Sequence, residues 1–215
     1  GWAESPAYFC TATETGRDII QWLVNEKVDL PPHPFEQFMV PDSEPVGHGN
    51  GASEIHVYVD DYVLAVIQDM AQTLVRRVAR ATLHGIHSIF PPPSRLGHTG
   101  GKDPISEKKL QKGDAMFAIQ KEILGFMLDG RTRTVWLPEA KRDGIITEIN
   151  RLLKKKHCAR KRFLSLTGKL INATRIGPAT KAFLNPFFKA TRNDPKLVGI
   201  GLHSALRQAL KDLPA

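Results

Sequence analysis

At 215 residues and 41% hydrophobic, the chain can bury one sizeable core or two smaller ones and does not have the composition of a disordered tail. Charges break every apolar stretch before the roughly 18 to 20 residues of a bilayer span, and no basic-then-apolar leader opens the chain, so the expectation is no membrane partner and an intracellular location, cytoplasmic or nuclear. The formal +8 conceals opposite halves: residues 1–130 hold 11 Lys and Arg against 17 Asp and Glu, a balance of −6, while residues 131–215 hold 19 against 5, a balance of +14 that predicts a polyanionic partner.

The sequence opens Gly1-Trp2-Ala3-Glu4-Ser5-Pro6 with no initiating Met and no leader, the pattern of a segment cut from within a larger protein. Ser5 before Pro6 is a helix start, the proline falling where a missing N–H costs nothing, and the helix should run to about Glu26. Residues 29–53 are rich in Pro, Gly and acids and predict a long surface loop. From Glu54 the pattern alternates, with Ile55, Val57 and Val59 on one side and His56, Tyr58 and Asp60 on the other. A second β-rich run, Tyr62–Ile67, completes a hairpin whose tip is Asp60-Asp61. Met70, Leu74, Val78 and Ala81 recur at helical spacing to about Leu83, so a helix should pack its apolar stripe under the hairpin. Ile86–Phe90 predicts a short strand ended by Pro91-Pro92-Pro93, and a Gly-rich loop follows to about Asp103. Strands are expected around Ala115–Leu128 and Thr132–Leu137, joined by an Asp129-Gly130 turn. Beyond Pro138 the pattern is helical, near Glu139–Lys156, Ala159–Thr174, Ala179–Ala190 and Leu202–Leu210. Cys10 and Cys158 offer neither a CxxC pair nor a disulfide framework and should be reduced thiols.

The acidic pair needs an explanation, because adjacent carboxylates repel unless a cation or solvent offsets them. Mg²⁺ takes a few carboxylate oxygens and fills its remaining positions with water and phosphate, and two such ions serve phosphoryl transfer. A solvated hairpin tip would carry the same two residues, so the pair alone does not decide.

Its surroundings are more specific. Val57-Tyr58-Val59-Asp60-Asp61-Tyr62 resembles the tyrosine-x-aspartate-aspartate box of reverse transcriptases. Gly1 to Phe9 is similar to the glycine-then-serine-proline segment that precedes that box in the family. Ile123-Leu124-Gly125-Phe126, followed by Thr134-Val135-Trp136-Leu137-Pro138, resembles the hairpin that grips the primer terminus. Leu166-Thr167-Gly168-Lys169-Leu170, within a basic helical region, is similar to the thumb of Ty3-like and DIRS-like retrotransposon enzymes. The resemblance covers nearly the whole chain in the family's order. It implies an RNA-directed DNA polymerase fragment that extends a primer with two Mg²⁺ ions, deoxynucleoside triphosphates and an RNA/DNA primer–template. Asp60 and Asp61 would be the metal-binding, catalytic carboxylates. Tyr58, Gly1 and Ser5 would lie near the nucleotide or primer end, and Leu124, Gly125 and Phe126 would form the primer grip. A lysine protonating the pyrophosphate leaving group falls on Lys109 or Lys112, between which the sequence does not choose.

The resemblance further implies an aspartate on a strand upstream of the glycine–serine–proline segment, and fingers closing over the nucleotide. The sequence begins after both, so the upstream palm and fingers of a parent polyprotein become expected partners, and these 215 residues alone are not expected to polymerise. The run Arg151–Arg162 carries seven Lys or Arg and no acid. A solvated helix face is the ordinary meaning of such a run. The resemblance implies instead a thumb on which Lys154, Lys155, Lys156, Arg160, Lys161 and Arg162 track duplex phosphates without reading bases.

Two other signals fail. Gly97–Asp103 is one residue short of a phosphate loop and has Asp103 where Ser or Thr should bind Mg²⁺. His84 and His87 are three apart without a Cys or acidic partner at zinc-site spacing. The expected fold is therefore α+β: a partial polymerase palm, an antiparallel sheet with packed helices, over residues 1–130, then an α-helical thumb over 131–215. The alternatives are a non-catalytic nucleic-acid-binding remnant of a retroelement and a polymerase that copies RNA into RNA; the latter more often has glycine before the two aspartates, and Val59 argues against it.

Overall fold

The computed structural model describes residues 5–42, 47, 49–97, 102–192 and 199–212. It is mixed α+β, and the chain divides into two compact units, residues 1–118 and 119–215. The division expected at residue 130 falls inside a small sheet, so the primer-grip-like hairpin belongs whole to the second unit.

In the first unit, α1 (Ser5–Asn25) ends within a residue of the Glu26 expected; what precedes Ser5 lies outside the described residues. Among the described residues, the loop after it contains a 3-10 turn, Glu36–Phe38. Strands β1 (Ala52–Tyr58) and β2 (Asp61–Ile67) pair antiparallel with Ala52 opposite Ile67 and Tyr58 opposite Asp61. Helix α2 (Leu74–Ile89) follows. It starts after Met70, which is 71% exposed and outside the stripe it was expected to open. It also absorbs Ile86–Ile89 and is capped by Phe90, a run expected as a strand: the buried positions Val75, Ala79, Leu83 and His87 continue a four-residue step, and Pro91-Pro92 is the first stretch that cannot donate a helical N–H. One stripe of α2 packs Leu74, Val78 and Ala81 with Ile20, Val24 and Ile55. The other packs Val75, Ala79 and Leu83 with Met39 and Val40 of the loop. A short α3 (Glu107–Gln111) that the sequence pattern did not reveal seals this end with buried Leu110.

The second unit opens with a meander of three strands where two were expected: β3 (Gln120–Ile123), β4 (Phe126–Asp129) and β5 (Thr134–Trp136). The run Ala115–Leu128 is broken by Leu124-Gly125, whose φ values of 50° and 87° make the left-handed two-residue turn that a twisted hairpin favours. Between β4 and β5, Asp129 Oδ1 accepts the N–H groups of Arg131 (2.7 Å) and Thr132 (3.0 Å), and Oδ2 accepts Gln120 Nε2 at 2.7 Å. Helices α4 (Glu139–Leu153) and α5 (Arg160–Ala173) lie where periodicity puts them. The helix expected at Ala179–Ala190 is a 3-10 stretch, Pro178–Leu184, continued by α6 (Asn185–Arg192). Helix α7 is Ser204–Asp212. Two three-residue strands escaped the sequence pattern, β6 (His157–Ala159) and β7 (Gly199–Gly201), which pair antiparallel. The core gathers Leu152, Leu166, Leu184, Leu206 and Leu210 around Phe163 and Phe187, which stack at 5.5 Å. Cys10 and Cys158 are both free thiols. Among the described residues no helix is long and apolar enough to cross a membrane.

Candidate metal and nucleic-acid site

The β1–β2 hairpin displays the acidic pair. Ile55 and Val57 oppose Leu64 and Tyr62 on the face covered by α1 and α2. The other face carries Glu54, His56, Tyr58, Asp61, Val63, Ala65 and Ile67, with Tyr58 52% and Ile67 64% exposed. Asp60 sits in the turn and Asp61 opens β2, both exposed. Tyr58 stands opposite Asp61, exposed where it could also have been half-buried. Val59 turns the chain with φ of 61°, a left-handed conformation that a β-branched residue adopts only at a cost.

The tip is held from below. Tyr62 Oη donates to Thr13 O of α1 at 3.0 Å, and burial pushes its phenol up. Gly16 makes room for that ring, since a Cβ there would lie 2.4 Å from Tyr62 Oη. At the other end of the hairpin, Gln68 Oε1 accepts the Leu74 and Val75 N–H groups at 3.1 Å, and Asp69 Oδ1 accepts that of Thr73 at 2.7 Å. These bonds cap α2 and fix the exit of β2.

The other predicted residues divide between the units. Gly1 lies outside the described residues; Ser5 begins α1, and its side chain is not described. Lys109 is an exposed residue of α3, and Lys112 caps its C-terminus. In the second unit, Leu124 is 45% exposed at the β3–β4 turn beside Gly125 and Phe126. That turn is clamped by a residue the sequence did not single out: Lys141 Nζ of α4 donates to Glu122 Oε1 at 2.6 Å and to Gly125 O at 3.1 Å.

The basic run separates into two kinds of cation. Arg162 makes a two-pronged pair with Glu148 of α4, its Nη2 at 2.9 Å from Oε2 and its Nε bonded to Oε1. That hydrogen bonding holds the Glu148 carboxyl below its ordinary range. Arg160 Nη2 donates to Thr191 O at 2.5 Å. Lys154, Lys155, Lys156 and Lys161 are all exposed. Their loop is anchored by its backbone: Arg207 of α7 donates Nη1 to Lys155 O at 2.8 Å and Nη2 to Leu153 O, while Leu202 N–H donates to Lys156 O at 2.8 Å. Arg207 carries no local sequence signal, because its acceptors lie more than fifty residues away.

The histidines also find a place. Phe35 N–H donates to His33 Nδ1 at 3.2 Å, which leaves the His33 proton on Nε2, 3.2 Å from His87 Nδ1. His87 Nε2–H then donates to Asp103 Oδ1 at 3.0 Å. His84 packs edge-on against His33 and bonds Pro31 O at 3.0 Å. Burial, with His87 and His84 alongside, lowers His33 to about 4. Asp103, which spoiled the phosphate-loop reading, is the carboxylate that ends this chain of bonds. Among the described residues no group of three or more His, Cys, Asp and Glu side chains is arranged to hold a metal, so Asp60 and Asp61 stand as a pair.

No protein-family model matches the chain, and neither a curated protein nor a solved structure is significantly similar to it.

Proposed function

We propose that the chain is the palm-hairpin and thumb portion of an RNA-directed DNA polymerase of retrotransposon type. The observation that carries this reading is the exposed Asp60-Asp61 pair at a two-residue hairpin turn whose inner face is packed against two helices. Such a mount lets neighbouring carboxylates face a phosphate-bearing substrate without burying unpaired charge.

The donor set fits Mg²⁺ in part. The ion prefers one or two carboxylates and completes its shell with water and substrate phosphates, and Asp60 and Asp61 supply that many. Two Mg²⁺ ions at such a site would supply charge neutralisation for the attacking and leaving oxygens of a phosphoryl transfer. Asp60 and Asp61 hold and orient. Tyr58, beside Asp61 on the open face, offers a flat apolar surface to a primer's terminal nucleotide. The Leu124-Gly125 turn, clamped by Lys141, supports the primer strand. Lys109 and Lys112 are the two candidates for delivering a proton to departing pyrophosphate. The uncommitted lysines of the second unit track the backbone of the primer–template.

The test is primer extension on an RNA template, with deoxynucleotides and Mg²⁺, by the polypeptide in which this chain occurs. Asp60→Asn and Asp61→Asn should each lower extension on the order of 10²- to 10³-fold while leaving duplex binding in place; undiminished extension by either variant would overturn the reading. A non-catalytic nucleic-acid-binding role is the second reading, favoured by the cationic excess of the second unit. It predicts duplex binding of the same strength and no extension at all.

A further inference from the structure

A second charged feature lies at the far end of the first unit. The C-terminus of α1 and the N-terminus of α2 enclose a cleft of about 310 Å³, lined by Lys27, Val28, Asp29, Leu30, Thr73, Arg76, Arg77 and Arg80. Four of these side chains are cations and one is a carboxylate. Beneath them the buried Glu36 accepts Arg76 Nη1 at 2.9 Å and Arg80 Nε at 2.6 Å, which fixes both guanidinium planes and removes one more charge. With Asp69, which bonds Thr73 and attracts Arg77, four positive groups face three negative ones and leave a surplus of one that the concave wall concentrates. The two helix ends contribute opposite dipoles and largely cancel, and the α2 N–H groups are already taken by Gln68 and Asp69. The side chains therefore set the sign.

Lys27 adds an independent observation. It occupies the left-handed position just past α1, with φ of 51°, its own N–H bonded to Val24 O (3.2 Å) and that of Val28 to Leu23 O (3.1 Å). Glycine is the ordinary residue there, because a Cβ is strained. Lys27 is exposed and lines the cleft, and backbone strain of this kind clusters at functional positions. Arg77 is held more lightly than Arg76 and Arg80: it makes a long bond of 3.5 Å to Thr73 Oγ1 and lies near Asp69, whose carboxyl it helps to hold low.

We propose that this cleft is a binding site for a pyrophosphate-type anion, two linked phosphates carried by a free nucleotide or by the end of a nucleic-acid strand. Guanidinium forks match phosphate oxygens in pairs, and the volume is at the lower end of small-ligand pockets, too small for a duplex. The site is distinct from the acidic tip. The cleft adjoins the base of the hairpin, where Gly51 lies against Ile67 and Leu74, whereas the turn is at the opposite end of seven-residue strands, about 20 Å away at roughly 3.3 Å per residue. The inference does not rest on the polymerase reading.

The experiment is calorimetric titration of the full chain with inorganic pyrophosphate, at fixed ionic strength and in EDTA, so that no metal-bridged binding at Asp60 and Asp61 contributes. One saturable site is expected, weakened at least tenfold in the double variant Lys27→Gly, Arg77→Ala. Both changes spare the Glu36 pairs, and glycine suits the left-handed backbone, so the variant should keep the wild-type melting temperature or exceed it. Absence of saturable binding, or equal affinity in the folded variant, overturns the proposal. Competition then assigns the source: displacement by a nucleoside triphosphate but not by a 5′-triphosphorylated oligonucleotide supports the free nucleotide, and displacement by that oligonucleotide supports a strand end.

Discussion

The two units use charge in opposite ways. Residues 1–118 hold 10 Lys and Arg against 15 Asp and Glu, and residues 119–215 hold 20 against 7. In the acidic first unit, arginines are turned inward onto Glu36 and the carboxylates at the hairpin tip are left bare. In the basic second unit, Arg160, Arg162 and Arg207 are absorbed by carbonyls and Glu148, and the lysines of the same stretch are left to solvent. The sign of a region thus says less than which of its charged groups already have internal partners.

That distinction can be broken most forcefully by comparing lysines with an arginine from one run. Replacing Lys154, Lys155 and Lys156 by Ala should lower the slope of log affinity against log salt for an RNA–DNA duplex by roughly 2 to 3, about 0.9 per lost phosphate contact, with little change in stability. Arg162→Ala should leave the slope nearly intact and instead lower the denaturation midpoint. If the arginine moved the slope as much as a lysine does, the division of the run would fail. In the first unit, Glu36→Gln should cost about 2 to 3 kcal/mol by urea unfolding, because it removes the buried end of a two-arginine cluster whose other ends reach water. Burial works to raise that carboxyl, and the hydrogen bonds from Arg80 and Arg76 outweigh it; a loss below half a kcal/mol would show the pairs to be ordinary surface bridges.

A smaller effect separates the units by pH. His33 titrates at about 4 in the folded chain against an ordinary 6.5, so the unfolded chain takes up its proton first. The neutral form's contribution is complete above 6.5 and declines as pH falls toward 4. Discounted for a partly exposed ring, the loss is about 1 kcal/mol. His33→Gln should flatten the pH dependence of stability between those limits; a parallel curve would dismiss the imidazole chain as its source. The least change is expected from Val59→Gly, which relieves the left-handed strain and should stabilise the hairpin by up to about 1 kcal/mol after glycine's greater unfolded-state freedom is counted. A destabilised variant would mean that the valine side chain packs against something that outweighs its backbone strain.

Much of the frame was legible because it rests on local pattern. The hairpin followed from alternation around Ile55 and Leu64, and α4 and α5 from helical spacing. Ile86–Phe90 misled because a β-branched, aromatic run has strand propensity, while the four-residue step through Leu83 to His87 that keeps it helical depends on what α2 packs against. β6 and β7 were invisible: each has three residues, and their pairing joins Cys158 to Ile200. For the candidate site, the acidic pair and the basic run could be read directly. Which cations of that run are already committed could not, since Glu148, Thr191 and Arg207 reach it only through the fold.

The hairpin itself has a practical consequence. Among the described residues β1 and β2 pair only with each other, so each seven-residue strand leaves its outer margin without a neighbour. Backbone groups on such a margin accept any extended peptide in register. Concentrated preparations should therefore self-associate through this ribbon, and a short synthetic strand complementary to β1 or β2 should suppress the association by occupying the vacant rail.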